Sequence, residues 1–74
     1  MIPSYHAHIY FRSADERLKA ETLRSQIAGR FLVRLGRWHD VPVGPHTAPM
    51  FQVAFRADIF SDFIPWLMLN RSRP

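Results

Sequence analysis

Four histidines, His6, His8, His39 and His46, are the residues of this 74-residue chain best suited to chemistry near neutral pH. His6 and His8 stand two apart in Tyr5-His6-Ala7-His8-Ile9-Tyr10-Phe11. On a strand, alternate side chains share a face, so both imidazoles can converge on one metal ion. Imidazole suits Fe, Zn, Cu and Ni, so residue type alone does not choose the metal. By itself, a His-x-His on a strand is more often a pair of histidines without a ligand. His39 and His46 change the balance, because they flank His39-Asp40-Val41-Pro42-Val43-Gly44-Pro45-His46. Proline and glycine fix the course of such a loop, which suits accurate placement of side chains. The plainer alternative is a connecting loop with two exposed imidazoles. Asp40 is open to three roles: a carboxylate ligand, an orienting partner for a histidine, or a turn residue, the last being commonest. Tyr10 and Trp38 are candidates for lining an aromatic pocket, with core packing as the default for both.

Other chemistries are poorly supported. With no cysteine, thiolate metal sites and disulfides are excluded. The three glycines, Gly29, Gly36 and Gly44, are too dispersed for a phosphate loop. There is no nucleophile elbow and no helical His-Glu-x-x-His pattern.

The elements that must position the histidines can be read from periodicity. Tyr5 to Phe11 alternates as a strand: Tyr5, Ala7, Ile9 and Phe11 on an apolar face, His6, His8 and Tyr10 on the other. Ser13-Ala14-Asp15-Glu16 has the form of a capping box and starts a helix. Ala20, Leu23 and Ile27 form its apolar stripe, flanked by Leu18, and Gly29 is placed to end it with a left-handed cap. Phe31 to Arg37 reads as a second strand that Gly36 interrupts with a bulge. Met50 to Phe55 reads as a third, with Phe51, Val53 and Phe55 inward and Met50, Gln52 and Ala54 outward. Ala57 or Asp58 begins a second helix with the stripe Phe60, Phe63, Ile64 and Leu67. Pro65 should kink it or divide it, Asn70 could cap it, and the tail from Arg71 to Pro74 should fray. Strand, helix, strand, strand, helix is the ferredoxin-like βαββαβ plan without its last strand. The expected class is α+β: an antiparallel sheet with two helices on one face. An absent last strand would leave a sheet edge for another chain, or another copy, to cover.

Composition is consistent with one small globular domain over residues 1–74. Hydrophobic residues make up 47% and ten residues are aromatic, too many for a disordered chain. The net charge of +4 favours anionic partners in general, but the ten basic residues are scattered from Arg12 to Arg73. That pattern reads as a solvated surface rather than a nucleic-acid footprint, and nucleic acid is not the expected partner. No signal-peptide pattern opens the chain, and its most apolar stretch, Phe63 to Leu69, is too short for a membrane helix. The expectation is a cytoplasmic protein.

The segments Tyr5 to Phe11, Gly36-Arg37-Trp38-His39-Asp40 with Pro42-Val43-Gly44-Pro45-His46, Pro49-Met50-Phe51-Gln52-Val53, and Pro65-Trp66-Leu67-Met68-Leu69-Asn70-Arg71 together resemble the DOPA dioxygenase family. The resemblance covers Tyr5 to Arg71, and the proline- and histidine-rich loop is its most specific part. It implies a ferredoxin-like fold, commonly dimeric, and extradiol cleavage of a catechol such as DOPA with O2 and a non-haem metal, typically Fe(II). It implies His8 and His46 as metal ligands, His6 as the third candidate, and His39 as an acid/base or supporting residue. Arg37 would bind a substrate carboxylate through its planar fork, and Tyr10 would line the substrate site. Members of the family continue into a final strand and a segment with His-Pro and Asp-His motifs, which this sequence lacks. The resemblance therefore implies a domain incomplete at its C-terminus. The alternative function is a non-catalytic dimerisation or ligand-binding module of the same fold.

Overall fold

A computed structural model describes residues 3–71. Strand β1 (Ser4–Tyr10) leads into helix α1 (Ala14–Arg30), then β2 (Arg34–His39) and β3 (Met50–Arg56). A 3-10 turn (Ala57–Ile59) follows and passes into helix α2 (Phe60–Arg71). The sheet has the order β1-β3-β2, and β3 is antiparallel to both neighbours. This is the expected α+β arrangement. The final strand that the resemblance implies lies outside the described residues.

One face of the sheet packs on the helices. Ile9 and Phe11 beside β3, then Phe51, Val53 and Phe55, meet Ala20, Leu23 and Ile27 of α1 and Phe63 and Leu67 of α2. These are the residues that the alternation of the strands and the stripes of the helices predict. Phe55 and Phe31 both meet the Phe63 ring edge-on, with centroids 4.8 and 5.1 Å away. Such pairs add to simple area burial.

Local chemistry explains most boundaries. Ser13 caps α1, its Oγ accepting from the Glu16 amide at 3.1 Å, and the Glu16 carboxylate accepts from the Arg12 amide at 2.7 Å. Gly29 does not end the helix. Its φ is negative, and α1 runs on until the Phe31 amide bonds the Ile27 carbonyl at 3.0 Å. Glycine permits a left-handed cap without requiring one. The second strand consequently begins at Arg34 rather than Phe31, where pairing with Ala54 begins. Pro65 does not divide α2, which is continuous from Phe60 to Arg71. Asn70 is not a cap either, since it lies within the helix and donates to the Trp66 carbonyl at 2.7 Å. Phe60 stands outside the inward stripe and is 44% exposed, resting against Tyr5 instead. Leu18 is likewise exposed. Frayed ends were expected from Arg71 to Pro74; Arg71 is helical, and residues 72–74 lie outside the described residues.

Candidate functional site

The sheet face turned away from the helices carries most of the candidate residues. The strand register sets its side chains in three rows. Tyr10, Met50 and His39 form the first, and His8, Gln52 and the Gly36–Arg37 bulge the second. His6, Ala54 and Arg34 form the third.

The bulge arises because Leu35 pairs with Val53 and Trp38 with Phe51, leaving Gly36 and Arg37 to oppose the single residue Gln52. A Cβ at Gly36 would stand 3.1 Å from the Gln52 Cβ and carbonyl oxygen, so the position favours glycine for space. On the helix side, Arg24 of α1 donates to the Gly36 carbonyl at 3.1 Å, satisfying an acceptor at this irregularity of the ladder. The bulge that the glycine suggested is therefore present, and it brings Arg37, exposed, alongside the His8–Gln52 row.

The loop after β2 folds His46 over this face. At its centre, the His46 amide bonds the Val43 carbonyl at 3.0 Å, closing a turn in which Gly44 takes the positive φ of 56°. Its far end is held by the Phe11 amide, which donates to the Pro49 carbonyl at 3.1 Å. At its near end, Arg17 of α1 grips Asp40 through Nε and Nη2 at 2.9 and 3.2 Å, and Trp38 Nε1 donates to the same carboxylate at 2.8 Å. Arg17 also pairs with Glu21 and lies over the Trp38 ring. The hydrogen bonds from Arg17, then that from Trp38, hold the Asp40 carboxyl below its ordinary range, and Asp40 in turn raises Arg17. Asp40 bonds Arg17 and Trp38 rather than a histidine, and so anchors the loop to α1, a role outside the three read from the sequence. Trp38 takes the core-packing role, stacked between Phe11 and Phe51 at centroid distances of 4.5 and 5.5 Å.

The result is a compact group. The His8 and His46 ring centroids lie 4.8 Å apart. Tyr10 Oη is 2.7 Å from His46 Nδ1, and His8 Nε2 is 3.1 Å from Gln52 Oε1. All four side chains are half-buried. The Arg12 guanidinium lies 5.7 Å above the Tyr10 ring. Of the sequence-derived candidates, the structure brings together His8, Tyr10 and His46. His6 is exposed one row along β1. His39 lies in the Tyr10 row but on the far side of Met50, roughly 10 Å away across two strand spacings. Among the described residues, no three His, Cys, Asp or Glu side chains form a group able to hold a metal ion. Gln52 is the site residue that sequence reasoning passed over. Its one signal was its outward position in β3.

Comparison with known proteins follows the same outline. The model of the Dopa 4,5-dioxygenase family matches residues 5–74. A Botryotinia fuckeliana protein, named only as an uncharacterized 21.2 kDa protein, is 39% identical over 72 residues. That match covers 92% of this chain and 39% of the fungal protein. A crystal structure of a Nostoc punctiforme protein, provisionally assigned as a dioxygenase, has a TM-score of 0.88 and 50% identity. It matches 95% of this chain, which spans 60% of that protein's length.

Proposed function

The chain belongs to the Dopa 4,5-dioxygenase family, and from that membership we propose that the face around His8 and His46 is the reaction surface of an extradiol ring-cleaving dioxygenase. Its substrate would be a catechol such as DOPA, cleaved with O2 and a non-haem metal, Fe(II) before other divalent ions. The observation that carries this reading is the 4.8 Å approach of the His8 and His46 rings beside the Tyr10 hydroxyl.

The donors fit such a metal in kind but fall short in number. Neutral imidazole is a common ligand of first-row metals, and each ring is oriented by a hydrogen bond from its other side, as metal-binding histidines generally are. Open-site iron centres of oxygenases use three protein ligands. His6, on the same strand face, is the proposed third. When bound, such an ion supplies Lewis acidity and open positions for substrate and O2. The chain's own residues do the rest. Arg37, lifted into the site row by the bulge, binds a substrate carboxylate through paired N–H donors. Tyr10 shares a proton with His46 at Nδ1 and offers its ring to an aromatic substrate. His39 is the proposed acid/base group for the catechol protons.

Anaerobic Fe(II) titration, followed by oxygen and a catechol, tests the proposal through a coloured ring-opened product. Failure of the parent protein to bind Fe(II), or undiminished binding in both His8→Ala and His46→Ala, would overturn it.

A second reading is a non-catalytic dimerisation or ligand-binding module. It is favoured by the exposed position of His6, one row along β1 from His8. It predicts a stable dimer by sedimentation with no Fe(II) uptake; the dioxygenase reading predicts a homodimer that takes up iron. Neither reading places the protein across a membrane, and no described helix is long and apolar enough to cross one.

A further inference from the structure

The two central histidines differ in what their hydrogen bonds permit. His8 Nε2 faces the Gln52 amide oxygen at 3.1 Å. A carboxamide oxygen only accepts, so with the amide turned this way the ring nitrogen facing it carries the proton. A neutral imidazole has one donor and one acceptor nitrogen. His8 therefore keeps its lone pair on Nδ1. His46 Nδ1 faces the Tyr10 hydroxyl at 2.7 Å, and a phenol both donates and accepts. The Tyr10–His46 bond survives with the imidazole proton on either ring nitrogen.

The backbone of Gln52 is fixed at the centre of the sheet. It lies in the central strand, with β1 on one side and β2 on the other. Its Cβ and carbonyl lie so close to Gly36 that a methyl group there would stand only 3.1 Å from them. The His8 ring takes up the Gln52 amide oxygen.

We infer that Gln52 is a positioning residue that fixes His8 as the Nε2–H tautomer, making Nδ1 the nitrogen offered to a bound ligand, while Tyr10 leaves His46 free to carry its proton on either nitrogen. The division is between a ring whose electron-pair nitrogen is fixed and one whose electron-pair nitrogen is not. Its use in catalysis rests on the dioxygenase reading; the tautomer of His8 does not.

Nitrogen-15 NMR of histidine-labelled, metal-free protein in mildly alkaline buffer reads the tautomers directly. In the parent, His8 should be protonated at Nε2, with a proton signal protected from solvent exchange, whereas exposed His6 should show no such protection. In Gln52→Leu, which keeps the bulk and removes the acceptor, the protected signal should vanish. In Gln52→Glu, which restores an acceptor, it should return. Protonation of His8 at Nδ1 in the parent overturns the inference without need of any variant. So does a protected Nε2–H that persists in Gln52→Leu. Co(II) titration of the same proteins gives a second readout, with affinity expected to fall about 10–100-fold in Gln52→Leu. A parent protein that binds no Co(II) but shows the protected His8 proton would count against the metal site and leave the positioning role standing.

Discussion

Gly36→Ala tests how the bulge and the candidate site are joined. Gly36 has no positive φ, so alanine is permitted by the backbone, and the question is one of space alone. The new methyl would lie 3.1 Å from the Gln52 Cβ and 3.1 Å from the Gln52 carbonyl oxygen, against 3.4–4 Å for ordinary contact. Two terms oppose each other. Loss of glycine's freedom in the unfolded chain stabilises by about 0.4–1 kcal/mol. Overpacking costs about 1–3 kcal/mol. Both contacted atoms belong to the rigid part of a residue in the central strand, so neither can swing away as the end of a long side chain could. The steric term should win, for a net loss of roughly 1–2 kcal/mol. At about 4–8 °C per kcal/mol for a domain of this size, Tm should fall by roughly 4–16 °C. Reversible thermal and urea unfolding followed by circular dichroism measures both quantities. Gln52→Ala retains the two contacted atoms, so the penalty of Gly36→Ala should persist in that background. A Gly36→Ala protein as stable as its parent would refute the close approach, and the placement of Arg37 in the His8 row would lose its structural basis.

Three further outcomes are expected. Tyr10→Phe keeps the ring and removes the hydroxyl from His46 Nδ1; stability in urea should fall by about 1 kcal/mol, and anaerobic Fe(II) titration should show affinity reduced about 10–100-fold. Asp40 has a folded pKa below its unfolded value because of Arg17 and Trp38, so its contribution is fully present above the unfolded pKa, about 3.9, and is lost as pH falls through the lower folded value. Asp40→Asn should therefore flatten the acid limb of a Tm-against-pH curve below about pH 4; an unchanged acid limb would contradict the anchoring role. Phe63 is 0% exposed, and Phe63→Ala should cost about 3–5 kcal/mol. A 74-residue chain has roughly 4–11 kcal/mol in all, so this variant should be substantially unfolded at moderate temperature by circular dichroism.

How much of this was legible in the sequence depended on whether the signal was periodic or relational. The two faces of β1 and β3 could be read because alternation is a property of a strand alone. The same holds for Ala20, Leu23 and Ile27 at helical spacing, and for Ser13 as a cap beside Glu16. Gly29 misled, and Pro65 left α2 undivided, because each constrains local geometry without deciding it. Packing of Phe31 against Phe63 and Trp66 accompanies the longer α1, and Phe63 and Leu67 bury the inner face of α2 around its exposed proline. The site was legible as a set of types and not as a set of partners. Nothing in the sequence says that Asp40 faces Arg17, 23 residues earlier, rather than a histidine. Nor does it say that Tyr10 reaches His46 across 36 residues, or His8 reaches Gln52 across 44. Those pairings follow from strand order and loop course, which no local pattern encodes.

The apolar face of the sheet is what holds the histidine face in register. A one-residue slip of β1 against β3 would exchange its two faces, sending Ile9 and Phe11 to solvent and His8 and Tyr10 into the core. Ile9 and Phe11 are 4% and 3% exposed, and losing their burial costs about 1.5–3 kcal/mol each. Burying an imidazole and a phenol without their present partners adds roughly 1–3 kcal/mol apiece. Together these terms reach roughly 5–12 kcal/mol, as large as the whole stability expected of so short a chain. A slipped sheet would therefore unfold rather than persist as an alternative. The pairing of Ile9 with Phe51 and Ala7 with Val53 on one side fixes the pairing of His8 with Gln52 on the other. Conservative changes in this core that preserve volume should leave the His8–Gln52 bond intact, whereas a change that weakens the register should be felt as unfolding before it is felt as a rearranged site.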